Sequence, residues 1–141
     1  MSLTALAVAL SIAAAPLMGA ASLAAVQWDK RVLVIFADRA SADYGQQRDW
    51  LMAETSGLSE RDMLVLAVSG TTVDTLSGSA GAFDADALRE RLAPGAGAFE
   101  VVLVGKDGGV KLRRTAPITT DELFATIDAM PMRASEMARD R

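Results

Sequence analysis

Residues 32–36 read Val32-Leu33-Val34-Ile35-Phe36, an unbroken apolar run rich in β-branched side chains. A strand with one wet face alternates polar and apolar residues, so a continuous run marks a strand buried on both faces. Working outward, Ser41 stands where it caps a helix whose Tyr44, Trp50, Leu51 and Met52 fall at helical spacing, with Gly57 as its stop. Met63 to Val68 repeats the pattern of a buried strand. Ser69 to Ala82 is polar and Gly-rich and reads as a loop, after which Asp84 caps a short helix with Leu88 and Leu92 on one face. Phe99 to Val104 is a third strand. Lys106-Asp107-Gly108-Gly109 supplies the positive-φ residues of a hairpin turn, and Val110 to Arg114 returns as a fourth strand. Thr119 with Glu122 forms a capping box before an apolar helical stripe of Leu123, Phe124, Ile127 and Met130.

The order is β-α-β, a helix, then β-β-α. The first unit requires a right-handed parallel crossover, and the short connection before Val110 forces the last two strands to be antiparallel neighbours. With the hairpin beside the first strand, the expectation is an α/β fold. Its mixed sheet has four strands in the order 2-1-3-4 and helices on both faces, a minimal thioredoxin-like core. The fourth strand lies at an edge, where Lys111, Arg113 and Arg114 act as charged gatekeepers against unwanted pairing.

No charged side chain precedes Asp29, and the chain from Ala5 to Val26 is Ala, Leu, Val, Ile, Met, Gly and Ser broken by Pro16. Residues 1–25 therefore read as a signal peptide, with small residues at Gly19 and Ala21 or at Ser22 and Ala24 suited to cleavage. An uncleaved N-terminal anchor is the competing reading, since the run just spans a bilayer. Residues 26–141 form the domain. Both readings make it exported, to a periplasm or the extracellular space, with membrane contact only through a retained leader.

The 141 residues hold 14 Lys plus Arg against 18 Asp plus Glu, with no His and no Cys. Disulfides, thiol redox chemistry and a Ser-His-Asp triad are excluded, and no metal site or cofactor is indicated. Met130, Met132 and Met137 are soft metal ligands by type, but Met130 already belongs to a core stripe. A net charge of −4 without a basic stripe argues against nucleic acid as a partner. No Gly-rich phosphate loop is present.

Several segments resemble the peroxiredoxin-like family called P-DUDES, a domain of unknown function in bacterial exported proteins and in vertebrate extracellular proteins with sushi repeats. They are Lys30 to Ala37, Gln46-Gln47, Glu60-Arg61-Asp62, Val102 to Arg113, and Ile127-Asp128-Ala129-Met130-Pro131-Met132-Arg133. The resemblance implies a thioredoxin-like fold and no established activity.

In thioredoxin-like enzymes the thiol sits at the N-terminus of the first helix, where the dipole lowers its pKa. Ser41 occupies that vacated position here. One expectation is an enzyme that uses Ser41, Asp38, Arg39 and Asp43 instead. The preferred one is a non-redox binding or interaction module whose partner is a protein or anionic ligand. Chain direction brings Arg31, Glu60, Arg61, Asp62, Lys106, Asp107, Asp128 and Arg133 to the opposite end of the sheet. There they form either a bracing ion-pair network or a docking surface.

Overall fold

The computed structural model describes residues 20–140. In chain order the elements are β1 (Ala20–Ala21), α1 (Leu23–Val26), β2 (Arg31–Ala37), α2 (Ala42–Met52), α3 (Thr55–Glu60), β3 (Met63–Ser69) and β4 (Thr72–Ser77). They continue with β5 (Ala82–Phe83), α4 (Ala85–Leu92), β6 (Phe99–Val104), β7 (Val110–Arg114), α5 (Thr120–Asp128) and α6 (Pro131–Arg139). The main sheet runs β4-β3-β2-β6-β7. As the apolar run requires, β2 is central: it pairs in parallel with β3, Arg31 opposite Met63, and antiparallel with β6, Val32 opposite Val104.

Period-two alternation sorts β2 between two cores. Leu33 and Ile35 join Val65, Val101 and Leu103 against Leu51 of α2, Leu58 of α3 and Leu123 and Ile127 of α5. Val32, Val34 and Phe36 join Leu64, Leu66 and Val102 against Leu88 and Leu92 of α4, with Leu23 and Val26 of α1 packed alongside. Burying each such side chain contributes about 1.5–3 kcal/mol. Gln47 is fully buried yet satisfied, its Nε2 donating to the Ile118 carbonyl at 3.0 Å while its Oε1 accepts from Ile118 N–H at 2.8 Å.

The sheet has five strands, not four. The polar stretch read as a loop begins with a two-residue turn, Gly70-Thr71, in which Gly70 takes φ +56, and β4 then returns antiparallel along β3, Ser69 opposite Thr72. The expected 2-1-3-4 order survives as β3-β2-β6-β7, with β4 added outside β3. An edge strand with one wet face needs no apolar run, and Thr72 to Ser77 carries only Val73 and Leu76 as large apolar residues. Gly57 does not stop the first long helix, which ends at Met52, but lies inside α3. The C-terminal segment forms a further helix, α6, started by Pro131 in its first turn. The sequence reading of a leader falls mostly on residues 1–19, outside the described residues. No helix among the described residues is long and apolar enough to cross a membrane.

Candidate functional site

Parallel strands begin at the same end of a sheet. β2 therefore places Arg31 beside the start of β3, where Glu60, Arg61 and Asp62 precede Met63, and antiparallel β6 delivers Lys106 to that end. The end of α5 and the start of α6 close over them. Arg133, only 2% exposed, donates from Nε to Asp128 Oδ1 at 3.1 Å and from Nη2 to Glu60 Oε1 at 3.0 Å. Arg61 makes a two-pronged pair with Asp128, Nε to Oδ1 at 3.0 Å and Nη2 to Oδ2 at 2.9 Å, and lies 3.9 Å over the Phe124 ring. Lys106 donates to Asp62 Oδ2 at 2.8 Å.

Seven of the eight residues expected at this end are thus brought together. Asp107 is the one left out: it accepts from Lys111 Nζ at 2.7 Å and from Gly109 N–H at 2.9 Å, which shapes the hairpin where Gly108 takes φ +85. The residue that sequence reasoning missed is Glu136. Its carboxylate accepts from Arg31 Nη1 at 3.1 Å and from Lys106, and stands 3.9 Å from Arg133. The available signal was its spacing, one helical turn beyond Arg133, on a helix started by Pro131.

The completed cluster is neutral, with Arg31, Arg61, Lys106 and Arg133 facing Glu60, Asp62, Asp128 and Glu136. Burial works against the charged form of Glu136, but hydrogen bonds from Lys106 and Arg31 hold its pKa below the usual range. Asp62 is likewise lowered, burial opposing and the Lys106 hydrogen bond prevailing. The hydrogen bond from Arg61 lowers Asp128, assisted by Arg133 and opposed by burial. Arg133 is raised despite its burial, through Asp128 and Glu60. Among the described residues, Arg31 Nε is the sole buried side-chain polar atom without a hydrogen-bond partner. Leaving such a donor unmet costs about 1–3 kcal/mol.

Beside this cluster opens a cavity of about 660 Å³. Trp28, Ala129, Met130, Pro131 and Met132 form its apolar wall; Arg31, Lys106 and Lys111 bring positive charge to it. Trp28 is 61% exposed and held at φ +73, its N–H donating to the Lys106 carbonyl at 2.6 Å. A left-handed backbone at a bulky residue costs on the order of 1–2 kcal/mol, so the ring is presented outward against a local conformational preference.

The Ser41 end of the sheet is arranged differently. Ser41 caps α2, its Oγ accepting from Tyr44 N–H at 3.1 Å, and Asp38 Oδ1 accepts from Ala40 N–H at 2.9 Å. Arg39 pairs with Asp74 on β4, and Asp43 lies in the first turn of α2. A depression of about 550 Å³ opens at this end between Ser69-Gly70 and Pro94-Gly95; Asp38 lines it, whereas Arg39, Ser41 and Asp43 do not.

Compared with known proteins, residues 22–136 match the family described as a domain of unknown function, DUF4174. No curated protein matches the chain. Among solved structures it is similar to Plasmodium yoelii thioredoxin peroxidase I, with 15% identity over 82% of this chain and 80% of that one and a TM-score of 0.57. Reduced 2-Cys peroxiredoxin from Plasmodium vivax aligns at 14% identity over 80% and 84%, with a TM-score of 0.57. A protein assigned as thiol:disulfide interchange protein DsbE from Chlorobium tepidum aligns at 17% identity over 70% and 81%, with a TM-score of 0.51. At these identities the likeness is one of fold, and that fold is thioredoxin-like. With its match covering most of the described residues, the chain belongs to the DUF4174 family, here a thioredoxin-like domain that contains no cysteine.

Proposed function

We propose that the chain is an exported, non-redox thioredoxin-like binding module that takes its ligand at the sheet end opposite the vacated thiol position. The observation that carries this reading is the cavity beside the ion-pair cluster, where Trp28 and Met132 present apolar surface next to Lys106 and Lys111. Apolar walls with a few converging polar groups, in a volume of several hundred Å³, are the usual make-up of a small-ligand site. The cluster itself spends its charges internally, so it braces α6 against the sheet and shapes one wall of the cavity. Export rests on the apolar leader sequence, and the finer P-DUDES assignment on the motifs at Val102 to Arg113 and Ile127 to Arg133.

The enzyme alternative has weaker support. Ser41 has no base, because the chain lacks His, and its hydroxyl oxygen is engaged as a helix cap.

A neutral solvatochromic dye, Nile red, tests the binding reading. Its fluorescence is expected to rise with the wild-type domain, to fall back in Trp28→Ala and Met132→Gln, and to be unaffected by Ser41→Ala. Equal enhancement by all four proteins would contradict the assignment of the site.

A further inference from the structure

We infer that the ligand taken by this cavity is an amphipathic carboxylate, one anionic head on an apolar body; the inference rests on the binding reading above and adds its chemistry. Three cations meet the cavity and one carboxylate, Asp107, in a chain whose net charge is −4. What matters for a ligand is which of their donors remain free.

Lys106 has three ammonium hydrogens and uses two of them, on Asp62 and on Glu136. Arg31 is 1% exposed and spends Nη1 on the Arg61 carbonyl and on Glu136, while its Nε meets no acceptor among the described residues. Lys111, at the mouth, gives one hydrogen bond to Asp107 and keeps two donors. With Asp107 already accepting from Gly109 N–H and Lys111, the three spare ammonium hydrogens of Lys106 and Lys111 favour an acceptor on the ligand. A cationic head would meet Lys106 and Lys111 with like charge, and a neutral head would accept from the spare donors without the strength that charge adds. A carboxylate offers acceptor lone pairs in one plane at a single negative charge, which suits a few spare donors whose counter-charges already stand behind them.

The remaining lining decides the body. Trp28, Met130 and Met132 provide an aromatic face and two unbranched thioethers, which conform to flexible apolar chains. The volume accommodates an alkyl or aryl body of roughly ten heavy atoms.

Trp28 and Trp50 are the only tryptophans, so Trp50→Phe makes Trp28 the reporter. The domain carrying that change is titrated, below any micelle concentration, with decanoate, decan-1-ol and decyltrimethylammonium. Decanoate is expected to bind about tenfold more tightly than either other probe, and Lys111→Gln, with folding checked by near-ultraviolet circular dichroism, is expected to remove that advantage. Added salt should weaken decanoate alone. Equal affinity for the three probes, or preference for the ammonium, overturns the carboxylate inference while leaving the cavity as a binding site. No response to any probe overturns it too, and the Nile red result then decides whether the binding reading falls with it.

Discussion

The Lys106 ammonium lies 2.8 Å from Asp62 Oδ2, which ties the hairpin after β6 to the start of β3 across the end of the strand between them. Neither residue is near the other in sequence. Their meeting depends on β2 and β3 being parallel and β6 antiparallel, and Glu136 then joins the pair from α6.

Loss of Glu136 should therefore be costly. Glu136→Ala leaves Arg31, almost wholly buried, and Lys106 without their shared carboxylate, and removing one partner of a buried pair typically costs about 3–5 kcal/mol. Lys111→Gln breaks only an exposed pair and is expected to cost about 0–1 kcal/mol. Urea denaturation of both variants checks the contrast; similar midpoints would show that the cluster does not brace the C-terminal helix.

The same cluster sets the response to acid. Asp62, Asp128 and Glu136 all titrate below their ordinary values of 3.8, 3.8 and 4.5 in the folded chain. A carboxylate lowered on folding contributes stability that is present in full above its unfolded pKa and lost as pH falls through the folded one. Stability from these groups is accordingly level above the Glu value of 4.5 and declines below it. The raised pKa of Arg133 alters nothing in this range. Thermal midpoints measured from pH 7 down to pH 2 should fall steeply in wild type below that value and less so in Glu136→Ala.

The inner strands were legible because burial on both faces leaves a continuous apolar run, as in Val32 to Phe36 and Met63 to Val68. Once their directions followed from the crossover and the hairpin, so did the meeting of Arg31, Arg61, Asp62 and Lys106. β4 escaped notice because an edge strand buries little, and Thr72 to Ser77 reads as loop on composition. α6 and Glu136 escaped for a related reason: the buried side of that helix is charged, with Arg133 as its buried residue, so no apolar stripe announces it. Trp28 lies just before Asp29, the first charged residue, and nothing in that placement marks it as the wall of a cavity. Its left-handed backbone and the hydrogen bond from its main-chain N–H to the Lys106 carbonyl are tertiary features that composition cannot reveal.

Gly57→Ala tests the packing around Arg61. In an open helix the change would gain about 1 kcal/mol. Here the new Cβ would stand 2.6 Å from Phe124 Cε2 and 3.3 Å from Arg61 Nη1, displacing the ring on which Arg61 stacks. Net destabilisation of about 1–3 kcal/mol is expected from such overpacking. A higher melting temperature for the variant would mean that the ring yields freely.

Ser41→Ala should remove the cap of α2 and little else. A cost of about 1 kcal/mol in chemical denaturation is expected, with dye and ligand binding unchanged. Loss of binding with stability intact would move the functional site to the Ser41 end of the sheet.

The most direct test is a nitrogen-15 NMR titration of the intact domain with decanoate. Amide shifts are predicted at Trp28, Gly105 to Lys111, Ala129, Met130 and Met132, with the signals of Asp38, Gly70 and Gly95 left in place. Shifts concentrated at Asp38, Gly70 and Gly95 instead would contradict the account, because the ligand would then sit at the opposite end of the sheet.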